Sequence, residues 1–197
     1  MRKDTLISPL IACCILLVSG IAMGAVGLRV LSPDEKAELV SYLEVFMRGL
    51  SNPGLEPSSI FKLSLSHHLK TLGLLWAFGM AVVGVPLTCL LLIIRGFAAG
   101  FAAAFVIKEV PSGGFMVFAA GMLPHNLVTL PVVVLLSSLS ISFSLTLLNE
   151  RPWVRGGLLK MSLDYTWRFV ILSVGLVLSS AVEAYVSPVL LKRLTGL

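Results

Sequence analysis

Three stretches of this chain, from about Ile7 to Val30, Thr71 to Ile94 and Asn126 to Leu148, run almost without charge. Each exceeds the roughly twenty residues that a helix needs to cross a bilayer. A fourth, from about Trp167 to Leu190, carries only Arg168 and Glu183. Lipid offers no partner for an unpaired backbone, so spanning segments of this length are helices or closed barrels. Apolar runs without turn signals point to helices. The fold expected is all-α, a polytopic integral membrane protein.

Composition agrees. The chain is 57% hydrophobic and 13% charged, with a mean hydropathy of +0.98, where soluble domains carry about a quarter charged residues. Its 197 residues leave no length for a separate soluble domain. The formal net charge is +5, from 15 basic and 10 acidic residues. The basic residues are scattered over every loop, which excludes a nucleic-acid stripe and suits contact with anionic membrane lipid. Cys13, Cys14 and Cys89 lie in apolar runs without metal or redox spacing and read as packing residues. The apolar run after Met1-Arg2-Lys3 is longer than a signal-peptide core, so an uncleaved first span is expected.

The spans expected are about 7–30, 71–94, 96–108, 113–123, 126–148 and 167–190, or about five to six transmembrane segments. Gly20, Gly24 and Gly27 share one face of the first, a surface that admits a second helix closely. In the second, Pro86 follows Gly84 and predicts a kink. The runs 96–108 and 113–123 are too short to cross singly, and the polar Lys108-to-Gly113 link between them favours a short helical hairpin over one broken span. Gly96, Gly100 and Ala104 form a second close-packing face. In the next span, Ser138 to Thr146 alternates with period two, a strand pattern. Helix is expected there because an isolated strand cannot stand in lipid.

An amphipathic segment outside the hydrocarbon core, 33–70, separates the first two spans. Ser32-Pro33-Asp34-Glu35 has the form of a capping box with proline at the first helical position. Leu39, Leu43, Phe46 and Leu50 then recur at helical spacing. This stripe either binds a partner or packs as a lid over the chain's own bundle. Trp153, Tyr165 and Trp167 suit an interfacial belt beside the loop bearing Arg151 and Arg155. Arg2 and Lys3 favour a cytoplasmic N-terminus, although the charges of the whole chain do not separate cleanly by face.

No His-Glu-x-x-His, paired-glutamate, Gly-x-Ser-x-Gly or P-loop pattern occurs, so no catalytic residue, metal ligand or cofactor is expected. Adjacent His67 and His68 point to different sides of a helix and are expected in water. Glu183, on a stripe with Gly175, Ser179 and Ser187, is an acid inside a span. It is read as a packing residue or as a transport group.

Two motifs carry a resemblance. Arg95-Gly96-Phe97-Ala98-Ala99-Gly100 combines a basic residue with Gly-x-x-x-Gly. Leu123-Pro124-His125-Asn126 is followed by Pro131. Together they resemble the stage II sporulation protein M family, over most of the chain from about Leu63 onward. Many wider relatives have Gly after the histidine and Glu three residues later, where this chain has Asn126 and Thr129. The resemblance implies a non-enzymatic anchor in the septal membrane that holds an exported lytic transglycosylase and an amidase/endopeptidase during forespore engulfment. Read from the residues alone, Pro124 and Pro131 flanking His125-Asn126 are a helix-start device with Asn126 as cap. The competing readings are a small permease, suggested by the short segments and Glu183, and a homo-oligomer assembled through the glycine faces.

Overall fold

The computed structural model describes residues 4–51, 57–110, 113–150 and 157–195. Regular structure among them is entirely helical: α1 (Asp4–Gly27), α2 (Pro33–Ser51), α3 (Pro57–Met80), α4 (Gly84–Glu109), α5 (Gly114–Val117), α6 (Leu123–Glu150), α7 (Leu158–Ala181) and α8 (Ser187–Thr195). Two five-residue π-helical turns, Phe118–Met122 and Val182–Val186, carry α5 into α6 and α7 into α8. Four stretches are long and apolar enough to cross a membrane: Ser8–Gly27, Gly84–Glu109, Gly114–Glu150 and Leu158–Leu191. The chain is a multi-pass, all-α membrane protein, with four such stretches among the described residues, so the five to six segments expected hold only approximately.

The helices are cut at other places than the apolar runs suggest. Thr71–Ile94 is not one kinked helix. α3 stops at Met80, the chain turns, and α4 starts at Gly84 and passes straight through Arg95. The turn is tight enough that a Cβ on Gly84 would run into the Phe78 carbonyl oxygen. Pro86 then falls at the third position of α4, where the amides have no intrahelical partner and a missing N–H costs nothing. The segments 96–108 and 113–123 are likewise the ends of longer helices. The chain reverses between them at Gly113, whose φ of +107° favours glycine. Pro111 and Ser112 lie outside the described residues.

Although Lys62, His67, His68 and Lys70 make α3 more polar than these four stretches, it packs inside the bundle, with Leu72 and Leu75 in the main core. Helix α6 is the centre of that core. Ser138, Ser140, Ser142 and Ser144 are all buried there beside Leu139, Ile141 and Phe143. Its period-two pattern is therefore helix, covered on every side from Ser138 to Ser144. Ser140 Oγ donates to the Leu75 carbonyl at 2.9 Å, and Ser144 Oγ to that of Ala81 at 2.8 Å, tying α6 to α3 and to the turn that follows it. Tyr165 is not an interfacial residue, because it is buried in this core and stacked on Phe143 at 4.3 Å between centroids. Trp167 is exposed. Trp153, Arg151 and Arg155 lie outside the described residues.

Helices α1 and α4 run in the same direction and share the most extensive interface in the bundle. A Cβ on Gly20 would stand 2.6 Å from the Ile93 carbonyl oxygen, and one on Gly96 2.5 Å from that of Leu17. Gly24 faces Phe97 and Phe101, and Gly100 faces Ile21, more closely still. The two glycine faces thus meet each other within one molecule. Ala104 packs farther along, against the cluster of Leu28, Phe105, Val106 and Leu191.

Helix α2 begins as its capping box requires. The Ser32 backbone and hydroxyl donate to Glu35 Oε2 at 2.8 and 2.9 Å, and the Glu35 amide donates to Ser32 Oγ at 3.3 Å. These bonds hold the Glu35 carboxyl below its ordinary value. Since the folded group titrates below the unfolded one, the cap is complete above the ordinary carboxylate range and is lost as pH falls through the lowered value. Ser32→Ala is expected to lower the protection factors of the amides in the first turn of α2 at neutral pH, and acidification is expected to lower them in the unmodified chain once the slower intrinsic exchange at low pH is divided out. Equal protection in both chains would show that the cap contributes nothing.

Candidate functional site

Leu39, Val40 and Leu43 of α2 pack on the end of the bundle against Leu28, Phe105, Val106, Val117 and Leu191. This half of the amphipathic stripe is a lid. The Phe46 and Leu50 side chains lie outside the described residues. Tyr42 and Val45, on the other side of α2, are 65% and 70% exposed.

Beneath the lid is a partly open cavity of about 730 Å³, with Leu43 at one end. A volume of this order suits a small organic ligand. Most of its wall is apolar, supplied by residues such as Ile60, Leu63, Ala102, Val117 and Leu130. The polar groups come from α3, α4, α6, the second π turn and the start of α8.

Arg95 is the twelfth residue of the 26-residue α4. Its Nη2 donates to His68 Nδ1 at 3.2 Å, which makes His68 an acceptor at that nitrogen. His68 is only 5% exposed. The expectation that it sits in water fails because α3 lies inside the bundle and carries His68 against α4. One turn earlier on α3, Ser64 Oγ donates to Glu183 Oε2 at 2.6 Å and lies 3.2 Å from Ser180 Oγ. Arg95 and Glu183 thus hang from neighbouring turns of one helix and line the same cavity, without an ion pair between them among the described residues.

His125 and Asn126 reach the same cavity, but not as a helix start. Helical structure is continuous from Gly114 to Glu150, so both residues are interior. Asn126 Nδ2 donates to the Met122 carbonyl at 2.9 Å. Thr129 Oγ1 and Ser179 Oγ lie 2.9 and 3.0 Å from the His125 carbonyl oxygen and in contact with each other, and their two hydrogens can serve two of these three contacts at a time. Each π turn ends two residues before a proline, Pro124 or Pro188. Proline removes the donor for the carbonyl four residues back, and a π turn is one way for a helix to absorb that defect. Both prolines were legible in the sequence, but the π turns were not, because Pro131 sits inside α6 without one.

The cavity therefore gathers Arg95, His125, Asn126 and Glu183 with His68, which was expected in water, and with residues that local sequence did not single out, chiefly Ser64 and Gly121. Pro131 and the paired glycines Gly20, Gly24, Gly96 and Gly100 do not line it. Two of its polar atoms, His125 Nδ1 and Ser187 Oγ, are buried without a hydrogen-bond partner. No group of three His, Cys, Asp or Glu suited to a metal occurs among the described residues. The arrangement can hold a polar group on a charged floor between apolar walls.

In comparison with known proteins, the family model described as Stage II sporulation protein M matches residues 13–188. No curated protein and no solved structure matches the chain.

Proposed function

The chain belongs to the stage II sporulation protein M family, and from that premise we propose that it is a non-enzymatic anchor holding cell-wall hydrolases at the septal membrane during forespore engulfment. The family match over most of the chain carries this reading. A sporulation-related, multi-pass membrane protein is the common ground. Recruitment of an exported lytic transglycosylase and an amidase/endopeptidase is the proposed role within it.

An anchor must present something outside the bilayer, and α2 is the longest such element described. With the N-terminus cytoplasmic, as Arg2 and Lys3 favour, a single crossing by α1 places α2 on the outer face, where exported hydrolases work. Labelling of Tyr42→Cys by an impermeant thiol reagent, in a chain lacking Cys13, Cys14 and Cys89, is expected from outside intact cells. Labelling only after lysis would place α2 in the cytoplasm and remove it as the recruiting surface.

The central test is retention. Both hydrolases are expected to co-purify with the chain from sporulating cells, and the purified chain alone is expected to cleave no peptidoglycan. Degradation by the purified chain would end the scaffold reading. A permease is the second reading, favoured by a partly open cavity between the helices that is lined by Arg95 and Glu183. Solute flux into liposomes that is abolished by Glu183→Gln would select it.

A further inference from the structure

The groups facing the cavity form a dipole with unused bonding capacity. Arg95 has five N–H donors, and its hydrogen bond among the described residues goes to His68. Glu183 accepts from Ser64. Their partners on α3, Ser64 and His68, are four residues apart, about 6 Å along a helix axis. Both side chains are half-buried on the wall of a partly open cavity, and opposite charges held apart there, with little water around them, favour an occupant that pairs each of them. Ser187, 5% exposed, has an unpartnered hydroxyl in the same cavity.

The occupant's chemistry follows. A simple anion would meet Glu183, and a simple cation would meet Arg95. Either would leave a net charge in a low-dielectric site. A headgroup carrying an acid and an ammonium a few bonds apart satisfies both walls and adds no charge. A primary ammonium further supplies N–H donors to Glu183 and to Ser187 Oγ, which a quaternary one lacks. The apolar wall formed by Ile60, Leu63, Ala102 and Val117 requires that the polar group be attached to an apolar body.

We propose that this cavity binds an amphiphile with a phosphoethanolamine-type headgroup, its phosphate toward Arg95 and its ammonium toward Glu183. The source is bilayer phosphatidylethanolamine. The proposal is independent of hydrolase recruitment and would survive the failure of that reading.

Native mass spectrometry of the full chain in detergent, incubated separately with phosphatidylethanolamine, phosphatidylglycerol, phosphatidylcholine and chainless glycerophosphoethanolamine, tests it. One retained phosphatidylethanolamine is expected per chain, at least about tenfold above the other three, the scale of one lost hydrogen bond to a charged group. Arg95→Gln should lower retention by about the same factor. Glu183→Gln should abolish the preference over phosphatidylglycerol. A Cβ on Gly121 would meet only Leu191 Cδ1, at 3.8 Å, so Gly121→Leu adds apolar bulk to the cavity wall from a position where the first side-chain atom meets no backbone and no charged group. It should stay monodisperse and retain no lipid, which keeps the test decisive if Arg95→Gln fails to fold. Equal retention of the three lipids, binding of the chainless compound as strong as that of the lipid, or retention unchanged in Gly121→Leu would overturn the proposal.

Discussion

Gly100→Leu is expected to dismantle the pairing of α1 with α4 and to destabilise the protein severely. Even the first atom of the new side chain would collide with the Ile21 backbone. Overpacking against side chains costs about 1–3 kcal/mol. Here the obstacle is backbone, which yields only by moving a whole helix, so a cost of about 3 kcal/mol or more is expected. The purified variant should lose monodispersity at a markedly lower temperature. Gly73 is the control, because nothing stands within 4 Å of a Cβ there. Gly73→Ala should be neutral or slightly stabilising, by about 0.5–1 kcal/mol for a helix interior. If Gly100→Leu melts like the unmodified chain, α1 and α4 do not pack as described. If it alters only oligomer size, the glycine faces serve assembly between molecules.

Two double variants of α2 should separate the lid from the recruiting surface. Tyr42→Glu with Val45→Glu alters the exposed side and should reduce hydrolase retention by about tenfold or more, as loss of central apolar anchors does in helix recognition. Membrane insertion and thermal stability should not change. Leu39→Glu with Leu43→Glu instead puts two carboxylates into the contact with Leu28, Phe105 and Val106. It should destabilise the end of the bundle whether or not a partner is present. Retention that survives the first variant in a stable protein would move the binding surface off the exposed side of α2. Retention lost in the second while stability is unchanged would mean that Leu39 and Leu43 contact the partner directly.

Much of this architecture follows from local pattern. Uncharged apolar runs require helices because lipid cannot satisfy an open backbone, and that argument overrode the strand-like alternation of Ser138 to Thr146 in favour of what α6 adopts. The capping box of Ser32 and Glu35 is complete within four residues. Small residues four apart mark surfaces where backbones can approach, since the property belongs to the helix that carries them.

Which surface meets which was decided only by the path of the chain. The run Thr71–Ile94 looks continuous, yet it divides at a turn that Gly84 alone permits, and the division returns α3 through the bundle beside α4. That return brings His68 to Arg95 across 27 residues and Ser64 to Glu183 across 119. It also turns a polar segment expected in water into one wall of a cavity. Hydropathy and periodicity report how much of a helix is apolar and on which side. They carry no information about the partner of a polar side chain, because pairing depends on the three-dimensional course of everything between the two residues.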